Sequence, residues 1–140
     1  MSEENKAKVR RFLEVAYAQD KPEIVDEVFD SEVVCHDPNS ETGLMQGAEA
    51  LKGEIGWLRG VFPDVTFTVE DQTAEGEKVT TRWTMRGTQQ GEFFGVPASG
   101  RQVEMSGINI DRFEGGKLVE EWTSYDMLGA MRQIGAIAEQ

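Results

Sequence analysis

A chain of 140 residues, 39% hydrophobic and 29% charged, has the length and make-up of one globular domain spanning 1–140, with enough apolar material for its own core. Its 26 acidic against 14 basic residues leave a formal net charge of −12, which repels phosphate backbones and anionic lipid surfaces and excludes nucleic acid and membranes as expected partners. Cys35 is the only cysteine, so no intramolecular disulfide forms, and Met1 to Lys6 hold no apolar leader, so cytoplasmic residence is the expectation.

Apolar residues recur at helical spacing in Val9, Phe12, Leu13, Ala16 and Tyr17, which predicts a first amphipathic helix with Ser2 as its N-cap. Asp20-Lys21-Pro22 breaks it, and Pro22 opens a short second helix whose stripe is Ile24, Val25, Val28 and Phe29. The β-prone run Val33 to His36 predicts a strand, ended by the turn residues Asp37-Pro38-Asn39-Ser40. A third helix follows from Ala48 to Phe62, with Leu51, Ile55, Leu58 and Phe62 on one face and Pro63 as its stop.

Past Pro63 the period changes to two. Val65, Phe67 and Val69 make one strand, and Val79, Thr81, Trp83 and Met85 make another beyond the Glu75-Gly76 turn. The loop from Gly87 to Gly100 holds Phe93, Phe94, Val96 and Pro97, too apolar for a plain exposed connection, and is expected to fold over something. Val103 to Phe113 and Leu118 to Tyr125 form a hairpin about Gly115-Gly116, and Met127 to Ile137 closes the chain as a short helix. Helices first and antiparallel strands afterwards predict an α+β architecture, a closed cone with a central pocket.

With a two-residue turn at Gly115-Gly116, pairing Phe113 with Leu118 puts Asn109 opposite Trp122, Gly107 opposite Ser124 and Met105 opposite Asp126. That face, an apolar wall with few polar groups, suits a ligand. Asp126 reads in two ways. Desolvated beside Trp122 it is a general base able to take a proton from carbon next to a carbonyl; immediately before a helix it is an N-cap. His36, the only histidine, is either an acid/base group near neutral pH or a structural residue, and alternation sends it to the face opposite Cys35 and Asp37, so the three do not converge on a metal. No G-x-S-x-G, G-x-G-x-x-G or phosphate-binding loop occurs.

The ordered set His36-Asp37-Pro38, Phe62-Pro63-Asp64, Arg86-Gly87-Thr88, Gly91-Glu92-Phe93, Gly95-Val96-Pro97, Gly100-Arg101, Gly116-Lys117, and Trp122 with Asp126 resembles the SnoaL-like polyketide cyclases of the NTF2-like superfamily, over roughly residues 8 to 135. The resemblance implies a cone-shaped α+β barrel, a curved antiparallel sheet with N-terminal helices packed on its concave face, and a homodimer joined through the sheet. It implies cofactor-free ring closure by intramolecular aldol condensation of a small hydrophobic or cyclic carbonyl compound, with Asp126 as acid/base and His36 assisting. Gln89, Trp122, Asn109, Met105, Phe93 and Trp57 are the expected substrate contacts, and no metal is expected. In one departure, the family commonly reads Gly-Thr-His where this chain reads Gly87-Thr88-Gln89; Gln89 binds a carbonyl but shuttles no proton. The rival expectations are a non-catalytic binding protein, an isomerase, and an epoxide hydrolase drawing on Asp126, Asp111 and Arg82.

Overall fold

The computed structural model describes residues 2–138. Helix α1 (Ser2–Arg11) runs directly into a π-helical turn, Phe12–Ala16. Ser2 is therefore the first helical residue and not the cap. The wider turn brings Phe12, Leu13 and Ala16 onto the buried side together, and there the Glu14 carboxylate accepts the Val69 backbone N–H at 2.9 Å. Helix α2 (Glu23–Val28) buries Ile24, Val25 and Val28 and passes without a loop into strand β1 (Phe29–His36). A short edge strand β2 (Leu44–Gln46) and helix α3 (Ala48–Val61) follow. The meander β3 (Thr66–Glu75), β4 (Lys78–Thr88), β5 (Gln102–Glu114) and β6 (Lys117–Tyr125) leads to the closing helix α4 (Met127–Gln133).

The six strands form one curved sheet in the order β2-β1-β6-β5-β4-β3, antiparallel throughout except for the parallel pair β1–β6. The expected closed cone is corrected here: β2 and β3 are opposite edges, and the sheet stays open. Helices do the closing. α1 packs on β3 and β4 while α3 packs on β1 and β2, so the concave side is roofed by side chains and not by a strand. Val9, Phe12, Ile24, Val25, Leu51, Ile55 and Phe62 from the helices meet Phe67, Val79, Met85, Phe113 and Leu118 from the sheet in one core.

The hairpin register departs from expectation at one residue. Gly115 and Gly116 both take positive φ, 57° and 82°, as a two-residue turn between right-twisting strands requires, and Phe113 pairs with Leu118 as expected. Val119 then bulges, so that Arg112 pairs with Glu120, Asp111 with Glu121, Ile110 with Trp122 and Asn109 with Thr123. One extra residue inverts the parity of β6 beyond it. Glu121, Thr123 and Tyr125 turn to the concave side, and Trp122 turns to the convex side beside Ile110.

Candidate active site

The concave side encloses a cavity of about 400 Å³, within the range of small-molecule sites. Its inner wall is the sheet: Trp83 of β4, Met105 and Asn109 of β5, and Glu121, Thr123 and Tyr125 of β6. The helices supply the roof through Phe12, Leu13 and Tyr17 on one side and Leu51, Glu54 and Trp57 on the other. At the mouth Trp57 stacks on Phe93 at 5.9 Å between centroids and meets Phe94 edge-on at 5.4 Å. Phe94 holds a φ of 47°, a conformation that costs a non-glycine residue about 1–2 kcal/mol and here sets its ring edge-on against both Trp57 and Phe93.

Gly107 explains how the large Trp83 indole fits. A Cβ at Gly107 would lie 2.3 Å from the indole ring, so the missing side chain is the space that the ring occupies. Trp83 in turn orients Asn109. Its indole nitrogen, which only donates, bonds Asn109 Oδ1 at 3.1 Å, and the Thr123 hydroxyl donates to the same oxygen at 2.6 Å. The amide is thereby fixed with its NH₂ away from both donors and, among the described residues, without a protein acceptor. Asn109 thus offers two N–H groups to a guest in the cavity.

Four carboxyl groups gather around this space, and no lysine, arginine or histidine lines it among the described residues. Glu54 of α3 accepts the Tyr17 hydroxyl at 2.8 Å; lost hydration, partly offset by that bond, pushes its carboxyl from 4.5 up to about 7. Burial likewise pushes the Tyr17 hydroxyl and the Cys35 thiol far up, which leaves both uncharged. Asp37, just after β1, accepts the Tyr125 hydroxyl and the Asn39 backbone N–H, each at 2.9 Å. Glu121 and the wholly buried Asp111 face each other across β5 and β6, and burial raises both. A site of this kind can take and give protons inside an apolar chamber.

A profile of the SnoaL-like polyketide cyclases matches residues 7–134. The chain belongs to the SnoaL-like polyketide cyclase family. It is 29% identical over 128 residues to aklanonic acid methyl ester cyclase DnrD of Streptomyces peucetius, covering 91% of this chain and 88% of that one. Among solved structures, TsrD of Streptomyces laurentii superposes with a TM-score of 0.88 at 30% identity and 98% coverage of both chains. IdmH of Streptomyces antibioticus does so with a TM-score of 0.79 at 30% identity, covering 94% of this chain and 98% of that one.

In this SnoaL-like fold the residues singled out from the sequence separate into two groups. Asn109, Met105, Phe93 and Trp57 line the cavity together. Trp122 does not: the Val119 bulge turns it to the convex face, where it stacks on His36 at 5.4 Å. His36, on the same face by strand alternation, is bonded through Nε2 to Glu120 at 2.8 Å, outside the cavity. Asp126 is exposed, and its Oδ1 accepts the Gly129 N–H at 2.9 Å, so the N-cap geometry is the one found. Gln89 is buried beneath the aromatic loop, where its amide nitrogen lies within 3.2 Å of the carbonyls of Gly91, Val96 and Pro97 and its oxygen accepts the Ser99 N–H. The epoxide hydrolase set is not assembled, since Arg82 and Asp126 both lie outside the cavity lining. Glu54 and Glu121 escaped the sequence reading. The signal for Glu54 is an acidic residue one turn from both Leu51 and Leu58 of the buried stripe; Glu121 carries none, because its side depends on the Val119 bulge.

Proposed function

We propose that this protein is a cofactor-independent cyclase that closes a ring in a carbonyl-bearing polyketide by intramolecular aldol chemistry, with Glu54 as the general base. The observation that supports this most is a carboxyl group inside an apolar cavity whose proton affinity is matched to neutral pH, which is where a general base works best. Tyr17 orients that carboxylate, and the Asn109 amide is set to bond the carbonyl oxygen whose enolate forms. The family and the aklanonic acid methyl ester cyclase of Streptomyces peucetius make that ester the first substrate to try.

Ring closure conserves mass, so turnover is read as a product of the substrate's mass at a new chromatographic position. Glu54→Gln should lower kcat at least about 100-fold while the ligand still quenches Trp57 fluorescence. Turnover undiminished in Glu54→Gln would rule Glu54 out. A second reading, a binding protein without turnover, is favoured by the positions of Asp126 and His36 outside the cavity; quenching by the ester with no isomeric product in the wild type would establish it.

The partner proposed for the convex face is a second copy of the chain. Ile108, Ile110 and Trp122 stand exposed there at 47%, 40% and 37%, an apolar strip on the outer surface of the sheet. Trp122→Glu should convert a dimer into a monomer in sedimentation velocity, and a wild type that sediments as a monomer would refute the pairing.

A further inference from the structure

Alternation along β5 sends Asp111 to the concave side between Asn109 and Phe113, and the bulge at Val119 sends Glu121 there from β6. The two are direct cross-strand partners. Such neighbours hold their Cβ atoms about 4.5–5.5 Å apart, and like charges placed so repel. Asp111 is 0% exposed, and among the described residues no N–H or O–H donor bonds either of its carboxyl oxygens. What faces them is the other carboxyl. The groups around the pair are Glu54, Asp37, Cys35 and Tyr17, acidic or neutral, with no cation among the described residues to offset a second charge. An ionised, unbonded carboxylate is too costly in such a place, and one proton between the two oxygens satisfies both residues at once.

We infer that Asp111 and Glu121 share one proton in the ligand-free protein, and that Glu121, which reaches the cavity, delivers it to the acceptor carbonyl oxygen of the substrate. Glu121 is then the general acid opposite Glu54, and Asp111 is the positioning residue that keeps the proton on the pair. Lost hydration and the charge of each on the other both act to hold it there. The delivery step rests on the proposed cyclisation; the shared proton does not.

The step balances without a co-reactant. The Glu54 carboxylate takes the proton from the donor carbon, whose electron pair forms the bond to the acceptor carbonyl carbon. The carbonyl π pair moves onto its oxygen, which takes the proton of the pair and becomes a hydroxyl. Glu54 ends protonated and the pair doubly ionised, and transfer of one proton from Glu54 to the pair restores the starting state. The product is an isomer of the substrate.

The test is a ¹³C NMR titration of the side-chain carboxyls in the ligand-free wild type, which requires no variant to fold. One carboxyl of the pair should remain protonated at about pH 7, and both found ionised there would overturn the inference. Asp111→Asn removes the repulsion and supplies an amide N–H to Glu121, so Glu121 should then be ionised at the same pH; a Glu121 that stays protonated in it also counts against sharing. With aklanonic acid methyl ester as substrate, Glu121→Gln should lower kcat at least about 100-fold with KM little changed, and Asp111→Asn, by letting Glu121 ionise more readily, should move the alkaline limb of the pH–rate profile to more acid pH. A shared proton seen by NMR with kcat unaltered in both variants would overturn the delivery role alone. A wild type that turns over nothing would fail the cyclisation, and delivery with it, while the titration still decides the proton.

Discussion

Asp126 and Asn109 show how a polar side chain's bonds limit what else it can do. Asp126 spends one carboxyl oxygen on the Gly129 N–H, and a Cβ on Gly129 would fall 2.2 Å from its other oxygen, so the carboxylate is seated against the first turn of α4. Replacing an N-cap aspartate by alanine costs about 0.5–2 kcal/mol. Asp126→Ala should accordingly lower stability by that amount in urea denaturation and leave kcat within about twofold, because the group does not touch the cavity. A loss of turnover with folding intact would return Asp126 to the chemistry. Asn109 is the reverse case: its oxygen is fully used by Trp83 and Thr123, and what is left free is the NH₂.

At the scale of elements, the loop from Thr88 to Arg101 depends on Gln89 as much as on its aromatic residues. The single amide side chain joins four backbone groups, those of Gly91, Val96, Pro97 and Ser99, and the loop it gathers sets Phe93 and Phe94 against Trp57. Gln89→Ala takes this partner from the Gly91 and Pro97 carbonyls and the Ser99 N–H, while the Val96 carbonyl keeps the Phe93 N–H, and frees the cavity mouth, so KM for the ligand should rise about tenfold while kcat changes less; an unchanged KM would mean that the loop stands without it. Much of this architecture was legible in the sequence, because hydrophobic period reports burial directly: α3, β4 and the β5–β6 turn fall where the pattern of Leu51, Ile55 and Leu58, of Val79 to Met85 and of Gly115-Gly116 puts them. Two features were not. β2 is three residues long and half exposed, too short to show a period. The Val119 bulge has no composition of its own, since valine sits as readily in a regular strand, yet it decides whether Trp122 or Glu121 faces the cavity. The acidic site was hidden behind that one parity.

At the scale of the whole molecule, the buried acids are linked to stability. A carboxyl whose proton affinity is higher in the folded than in the unfolded chain stabilises the fold while it is protonated, fully so below its unfolded value, and that contribution is lost as pH rises through its folded value. Glu54 spans the interval from 4.5 to about 7, and Asp111 and Glu121 shift in the same direction. For Glu54 alone the change is at most about 3 kcal/mol, reduced by the partial exposure of the residue. The carboxylates shifted the other way, Glu27, Asp64 and Glu120, are held down by hydrogen bonds near the surface and oppose this trend only at acid pH. The net charge of −12 also favours unfolding as pH rises, since self-repulsion grows while carboxyls ionise, so the slope of wild-type stability cannot by itself be credited to the cavity. Glu54→Gln separates the two contributions. It removes one titration inside the cavity and alters the overall charge by only one, so urea denaturation between about pH 5 and pH 8 should show the wild type losing stability steadily and the variant losing distinctly less. Equal slopes would mean that Glu54 stays hydrated and ionises as an ordinary glutamate, and its assignment as a base tuned to neutral pH would fall with that result.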